Sequence, residues 1–501
     1  GINAEYGEFM GKKKATQNTQ QNPTPYGGMT PQMMQQMAMM NTPPTREELE
    51  RRSKLFFAPV KRPAINISKQ EQAQLQTWFS GTWFADLSKQ VHECYAFDDQ
   101  QCPTIKVQPI IPKEQLLKVL EIGTKILTTS LNVETIICPG TSIQDFMHEI
   151  PKQYREKLPQ DFSVEKMKEM KPIELQYNTP QIPRHPHLIV VGDTHGTFEV
   201  IENIFMREGQ PSEDTIYLFN GDYVDRGNFS IEVFISLLIF KIMNPKSIYM
   251  LRGNHETQSI AEQYSLKEEI KRKYNDDALF PLFVKCFQAL PLAAKINDSY
   301  YIVHGGISGW KNFDIDMINQ LNRFRDPEPC MSSHFQAFDP LSDVLWSDPV
   351  ETTEQIVFNQ TRGTSIQFGK AAIKKFLKNS RLQFLIRSHT CVNQGYQLMH
   401  DAHTMTLFSV PNYNEKNLGA YCVLYGLFDE CQTPSEAEKR TMKDCSSLGL
   451  YNQNPGVPLC FIRQFNCSDH AMIQNQPIIR ELMMKQQQMQ IMELLRQQGM
   501  M

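Results

Sequence analysis

Five apolar runs along this chain each end at a polar residue able to bind a metal ion, and that recurrence limits the fold more than any other feature. The runs are 188–191, 215–219, 247–251, 300–303 and 382–386, rich in Ile, Val, Leu, Tyr and Phe, so they read as buried strands. Just beyond them stand Asp193 and His195, Asp222, Asn254, His304 and His389. Strands that deliver carboxylate, amide and imidazole groups to one edge of a sheet supply the donor set of a pair of divalent cations, with one carboxylate left to bridge.

Around the first three runs the pattern alternates. A helix is expected over 198–207, ended by Gly209, and another opens at Ser230 and stops at Asn244-Pro245. Strand, helix, strand, helix, strand makes two βαβ units in succession. Later runs at 405–410, 421–428 and 458–465 suggest a second, more antiparallel half, with 429–457 a long insert in the last hairpin. The proline-dotted stretch 139–186 reads as another insert, and apolar residues from Leu116 to Leu127 fit a packed helix over 112–131.

At 501 residues and 41% hydrophobic, the chain can bury a large core. A net charge of −4 excludes the basic footprint of a nucleic-acid binder, and no apolar stretch approaches the ~20 residues of a membrane span. Eleven cysteines without CxxC pairs suit free thiols in a reducing compartment, cytoplasmic or nuclear. Residues 1–9 read as a cloning adapter, with Met10 as the native start; Ala15 stands where a myristoylation motif wants Ser or Thr. The Gln/Met/Pro-rich segment 10–45 is expected to be disordered. Residues 46–111 form an N-terminal extension whose aromatic cluster, Trp78, Phe79, Trp83 and Phe84, reads as a packing patch. The tail 471–501 carries an apolar helical stripe, Ile478, Leu482, Met489 and Met492, that could bind a regulatory partner or dock on the body.

The loops after the strands carry the chemistry. Asp193-Thr194-His195-Gly196 can chelate one ion from a turn, although alone such a loop is more often a plain turn. Gly221-Asp222-Tyr223-Val224-Asp225-Arg226-Gly227 adds a carboxylate able to bridge, a second acid, and an arginine whose planar fork suits phosphate oxygens. Gly253-Asn254-His255-Glu256 supplies an amide ligand and an adjacent imidazole, His255, left over for acid–base work. The remaining histidines, among them His92, His185, His187 and His403, have no comparable constellation and read as structural.

These ordered blocks, together with His304-Gly305-Gly306, Leu345-Trp346-Ser347-Asp348-Pro349, Arg362-Gly363, Arg387-Ser388-His389 and Pro411-Asn412-Tyr413, resemble the metal-dependent serine/threonine phosphoprotein phosphatases of the calcineurin-like metallophosphoesterase superfamily. The motifs are most similar to the type that normally carries tetratricopeptide repeats, and no such repeat is visible here. The resemblance covers a catalytic domain over 112–470, inserts near 139–186 and 429–457 aside. It implies an α/β fold, a central β-sandwich flanked by helices, with the βαβ units carrying the ligands. It further implies two divalent cations (Mn, Fe, Zn or Mg), one held by Asp193, His195 and Asp222, the other by Asp222, Asn254, His304 and His389. A water shared by the two ions would attack phosphorus in line. Arg226, Arg362, Asn254 and Tyr413 would bind the phosphate, and His255, oriented by Asp225, would protonate the departing Ser or Thr oxygen. The partners implied are phosphoprotein substrates. Thr197, Thr390 and the loop Ser409-Val410-Pro411-Asn412-Tyr413-Asn414 depart from the family pattern without removing a ligand. A nucleotide phosphodiesterase and a catalytically dead scaffold on the same fold are the competing readings; the arginine and Pro411-to-Tyr413 blocks speak against the first, the complete ligand set against the second.

Overall fold

The computed structural model describes residues 45–57, 67–97, 103–159, 162–167, 170–175, 185–328, 338–414, 416–428 and 457–467. Nearly all of the segment expected to be disordered, nearly all of the 429–457 insert and the whole tail stripe lie outside the described residues.

The three strands His187–Val191, Thr215–Phe219 and Ile248–Met250 run parallel in that order, joined by the helices Phe198–Glu208 and Ser230–Met243. The two expected βαβ units are therefore present. Gly209, at φ 94°, ends the first helix in a conformation only glycine adopts without strain, its N–H bonding to Phe205 O. The second helix is buried along its whole length to Lys241, because the sheet lies on one side and the helices Lys113–Thr129 and Phe280–Ala289 on the other.

Two sheets stack. One has the order Ile173–Leu175, Leu459–Phe465, Gly419–Phe428, His187–Val191, Thr215–Phe219, Ile248–Met250, with Gly140–Ser142 beside Gly419–Phe428. The other runs Tyr396–Met399, Thr404–Leu407, Phe384–Arg387, Tyr300–Val303, Ala293–Ile296, Val133–Ile136. Side chains alternate across each strand. Leu188, Val190, Ile216 and Leu218 meet Ala294, Ile302, Ile386 and Met405 between the sheets. Ile189, Val191, Tyr217 and Phe219 point the other way, beneath the helices, and Tyr301, Val303 and Leu385 do the same on the far side. Helix, sheet, sheet, helix is the expected sandwich.

Strand ends shift where local geometry overrides hydrophobicity. The run at 382 begins its strand only at Phe384, because Arg381 turns left-handed and Leu382 N–H bonds back to Leu377 O, closing a helix. The run at 405–410 leaves the sheet after Leu407, where Phe408 N–H turns to Gly395 O. Within 139–186, Gly140–Ser142 pairs with Gly419–Phe428 and Ile173–Leu175 with Leu459–Phe465, so two short strands of that stretch extend the sheet.

The N-terminal extension is bonded to this body. Phe84 stacks on Phe198 at 5.5 Å and packs on Phe205 and Phe240, while Trp83 tilts on Phe240. His92 Nε2 lies 2.9 Å from Glu202, and the Tyr95 hydroxyl donates to Glu199. The aromatic cluster packs, as its composition suggests. Among the described residues no helix is long and apolar enough to cross a membrane.

Candidate metal and phosphate site

Asp193, His195, Asp222, Arg226, Asn254, His255, Arg362, His389 and Tyr413 line one cleft of 280 Å³ at the C-terminal ends of the parallel strands. His304 and Asp225 lie just behind its wall, both fully buried. The chain reaches this geometry through strained backbone: His195, Asp222, Asp225, Arg226 and His389 all have φ between 42° and 74°. Each such non-glycine residue costs of the order of 1–3 kcal/mol and persists only where its surroundings over-determine it. Here they do. The Glu256 carboxylate accepts from the backbone N–H groups of Asp222, Tyr223 and Gly253 at 2.8–2.9 Å. Gly253 is obligatory at this crossing, since a Cβ there would lie 2.2 Å from Asp222 Oδ1.

The donor atoms converge. His195 Nδ1 donates to Val224 O and His304 Nδ1 to Asn220 O, so in each ring Nε2 carries the lone pair. His195 Nε2 lies 3.6 Å from Asp193 Oδ2 and 3.5 Å from Asp222 Oδ2. His304 Nε2 lies 3.3 Å from Asp222 Oδ1 and 2.8 Å from Asn254 Oδ1, which is also 2.8 Å from His389 Nδ1. Turned over, the Asn254 amide would donate to both imidazoles and to Asp222; with its oxygen inward, lone pairs face one another, a repulsion that a cation between them removes. Asp193 Oδ2 and His389 Nε2 are buried without a hydrogen-bond partner. Two groups of three are close enough to share an ion: His195, Asp222 and His255, and Asp222, His304 and His389. Asp222 belongs to both.

Electrostatics point the same way. Burial, then the neighbouring Asp222, pushes the Asp193 carboxyl up to about 7, and burial carries Asp222 to about 8. Burial depresses the imidazoles of His195, His304 and His389. Crowded acids made reluctant to ionise beside imidazoles made reluctant to protonate form a site short of positive charge, and the donor set fits divalent cations.

The phosphate side has its own scaffold. Asp348 Oδ2 accepts from Arg362 Nε at 2.9 Å while Oδ1 accepts from Arg387 Nη2 at 3.0 Å and from the Thr390 hydroxyl at 3.0 Å. Burial alone would raise the Asp348 pKa, but Arg362, then His389 and Arg387, hold it well below the usual carboxylate range. The Thr390 oxygen also accepts from Arg387 Nη1 at 2.8 Å and Arg362 Nη2 at 3.2 Å, so this departure from the family pattern is a knot between two arginines. Arg226 lies over the Tyr264 ring at 4.2 Å. Tyr413 stacks on His195 at 5.3 Å. His255 Nδ1 lies 2.8 Å from Asp225 Oδ2; in the three-way group above, the same imidazole is within reach of an ion.

Sequence reasoning passed over Glu256, Asp348 and Tyr264. Two of them stood inside motif blocks, next to His255 and Ser347, but a supporting carboxylate has no spacing signature of its own. Tyr264 had no signal at all.

Residues 186–393 match the calcineurin-like phosphoesterase family. Over 286 residues the chain is 35% identical to serine/threonine-protein phosphatase T of Schizosaccharomyces pombe, an alignment covering 55% of this chain and 58% of that protein. It is 40% identical over 241 residues to serine/threonine-protein phosphatase 5 of Rattus norvegicus, covering 48% and 46%. The chain spans about half the length of the curated relatives it matches. A solved structure of a Saccharomyces cerevisiae protein serine/threonine phosphatase with similarity to human phosphatase PP5 superposes with a TM-score of 0.52 at 24% identity, over 72% of this chain and 91% of that one, a likeness of fold.

Proposed function

We propose that this chain, which carries a calcineurin-like phosphoesterase domain homologous to serine/threonine-protein phosphatases 5 and T, is a protein phosphatase hydrolysing phosphoserine and phosphothreonine monoesters. The observation that carries the reading is the convergence of two overlapping ligand groups and two arginines on one cleft. Two divalent cations, held by Asp193, His195 and Asp222 and by Asp222, Asn254, His304 and His389, would supply Lewis-acid charge to the phosphoryl oxygens and lower the pKa of the attacking water. Arg226 and Arg362 clamp the equatorial oxygens as planar forks, with Asn254 and Tyr413 beside them. The Asp225 carboxylate accepts from His255 Nδ1–H and favours the imidazolium form of the ring, whose Nε2–H is the proton given to the leaving oxygen. We assign the catalytic body to residues 112–470 with the extension 46–111 attached, the compartment as cytoplasmic or nuclear, and the tail 471–501 to a regulatory contact.

The purified protein loaded with Mn²⁺ should release phosphate from a phosphoserine peptide, lose that activity on chelation and recover it on metal return. Turnover indifferent to stripping, or confined to phosphodiesters, overturns the reading.

Asp348 provides a second test. Asp348→Asn weakens charge-assisted hydrogen bonds to Arg362 and Arg387, each about 1.5–3 kcal/mol, so the peptide KM should rise at least about tenfold. A wild-type KM in the folded variant would show that Arg362 needs no such anchor.

A further inference from the structure

One helix, Leu266–Tyr274, grips the turn that carries Asp225 and Arg226 at both ends, and we propose that its Glu269 and Lys273 are positioning residues for the acid and the phosphate clamp, an inference that rests on the phosphatase reading. Asp225 and Arg226 are consecutive non-glycine residues at φ 68° and 74°. Two such residues in a row do not hold themselves; something must fix the chain on either side.

The first grip is on Asp225 itself. Its Oδ1 accepts from Ser265 N–H at 3.0 Å and Leu266 N–H at 2.8 Å, at the start of the helix, while Oδ2 faces His255. The second grip comes a turn later. Glu269 accepts from the N–H groups of Ser230 and Ile231, both at 3.1 Å, where the helix Ser230–Met243 begins and its dipole favours negative charge. Lys273 Nζ donates to Asn228 O at 2.8 Å, to Glu232 at 2.6 Å and to Glu269 at 2.9 Å. Ser230 closes the circuit, its hydroxyl oxygen accepting from Asp225 N–H at 3.1 Å. Glu232, Glu269 and Lys273 are all buried.

A buried ion triad is a weak source of stability, since desolvation offsets most of the attraction. What this one does is local. It fixes the backbone at Asn228, Ser230 and Ile231, and so leaves Asp225 and Arg226 one conformation. Loss of either grip lets the turn relax, moving the His255 partner and the Arg226 fork together.

The test uses the metal-loaded full chain. Ser230→Ala removes the acceptor for Asp225 N–H and leaves the triad whole, and with Lys273→Met it answers if Glu269→Gln fails to fold; Glu268→Gln, in the partly exposed Arg272 pair of the same helix, is the control. Because misplacing a positioned group by ~1 Å can cost about 10²-fold, Ser230→Ala and Glu269→Gln should each lower kcat on a phosphoserine peptide about tenfold or more, and on p-nitrophenyl phosphate far less. KM should rise on both substrates, since both present the phosphoryl group to Arg226. The downfield proton resonance of the His255 Nδ1–H···Asp225 hydrogen bond should shift or broaden in both variants and stay put in Glu268→Gln. An unmoved resonance with kcat and KM intact in a folded, metal-replete Glu269→Gln protein, or in Lys273→Met and Ser230→Ala together where Glu269→Gln does not fold, overturns the proposal. A wild-type protein without ester turnover would defeat the phosphatase reading, while the resonance would still decide the grip.

Discussion

Asp222→Asn should abolish turnover and strip metal from both positions at once. Its two oxygens face different groups, Oδ2 toward His195 and Oδ1 toward His304, so the carboxylate lies between the two ligand sets. Oδ1 also accepts from His255 N–H at 3.0 Å. An amide keeps the shape but loses the charge and one of the acceptors, and each cation contributes several kcal/mol of charge stabilisation, so turnover should fall by at least about 10³-fold. Metal analysis of the purified variant is the sharper readout. Substitution of an outer partner alone changes affinity by about 10–100-fold, so loss of a shared ligand should leave both positions below wild-type occupancy. Full occupancy by two ions in Asp222→Asn would mean that this carboxylate does not bridge.

His255→Asn should separate substrates by how much their leaving group needs a proton. A serine alkoxide is a poor leaving group, whereas a nitrophenolate departs readily. A positioned general acid contributes about 10²–10⁴-fold, so phosphoserine peptide hydrolysis should slow by that range and p-nitrophenyl phosphate much less. Asp225→Asn should show the same preference more mildly, since the imidazole remains but loses the partner at 2.8 Å. Arg226→Ala should harm both substrates alike. Because His255 adjoins Asn254 and can itself reach an ion with His195 and Asp222, metal content must be measured in parallel. Equal losses on alkyl and aryl esters at full metal content would remove His255 from proton transfer.

What could be read from the sequence alone was everything whose signal is local. Apolar runs of strand length showed the βαβ units because a strand buried on both faces has no polar residue to spare, and the ligand-bearing residues stood out because they interrupt that pattern at its ends. Gly209 and Asn244-Pro245 marked helix ends because their backbone preferences act within one turn. The tertiary structure alone decided what depends on distant partners. It sets Gly140–Ser142 beside Gly419–Phe428 and Ile173–Leu175 beside Leu459–Phe465, pairings that two three-residue strands could not announce. It gave Glu256, Asp348 and the Glu232–Glu269–Lys273 triad their work, because a buried carboxylate is defined by the N–H groups and cations that face it, and here these arrive from as much as 41 residues away. The metal and phosphate groups repeat a pattern that spacing can carry; the groups that hold them in strained turns do not, since any acid able to reach those N–H groups would serve.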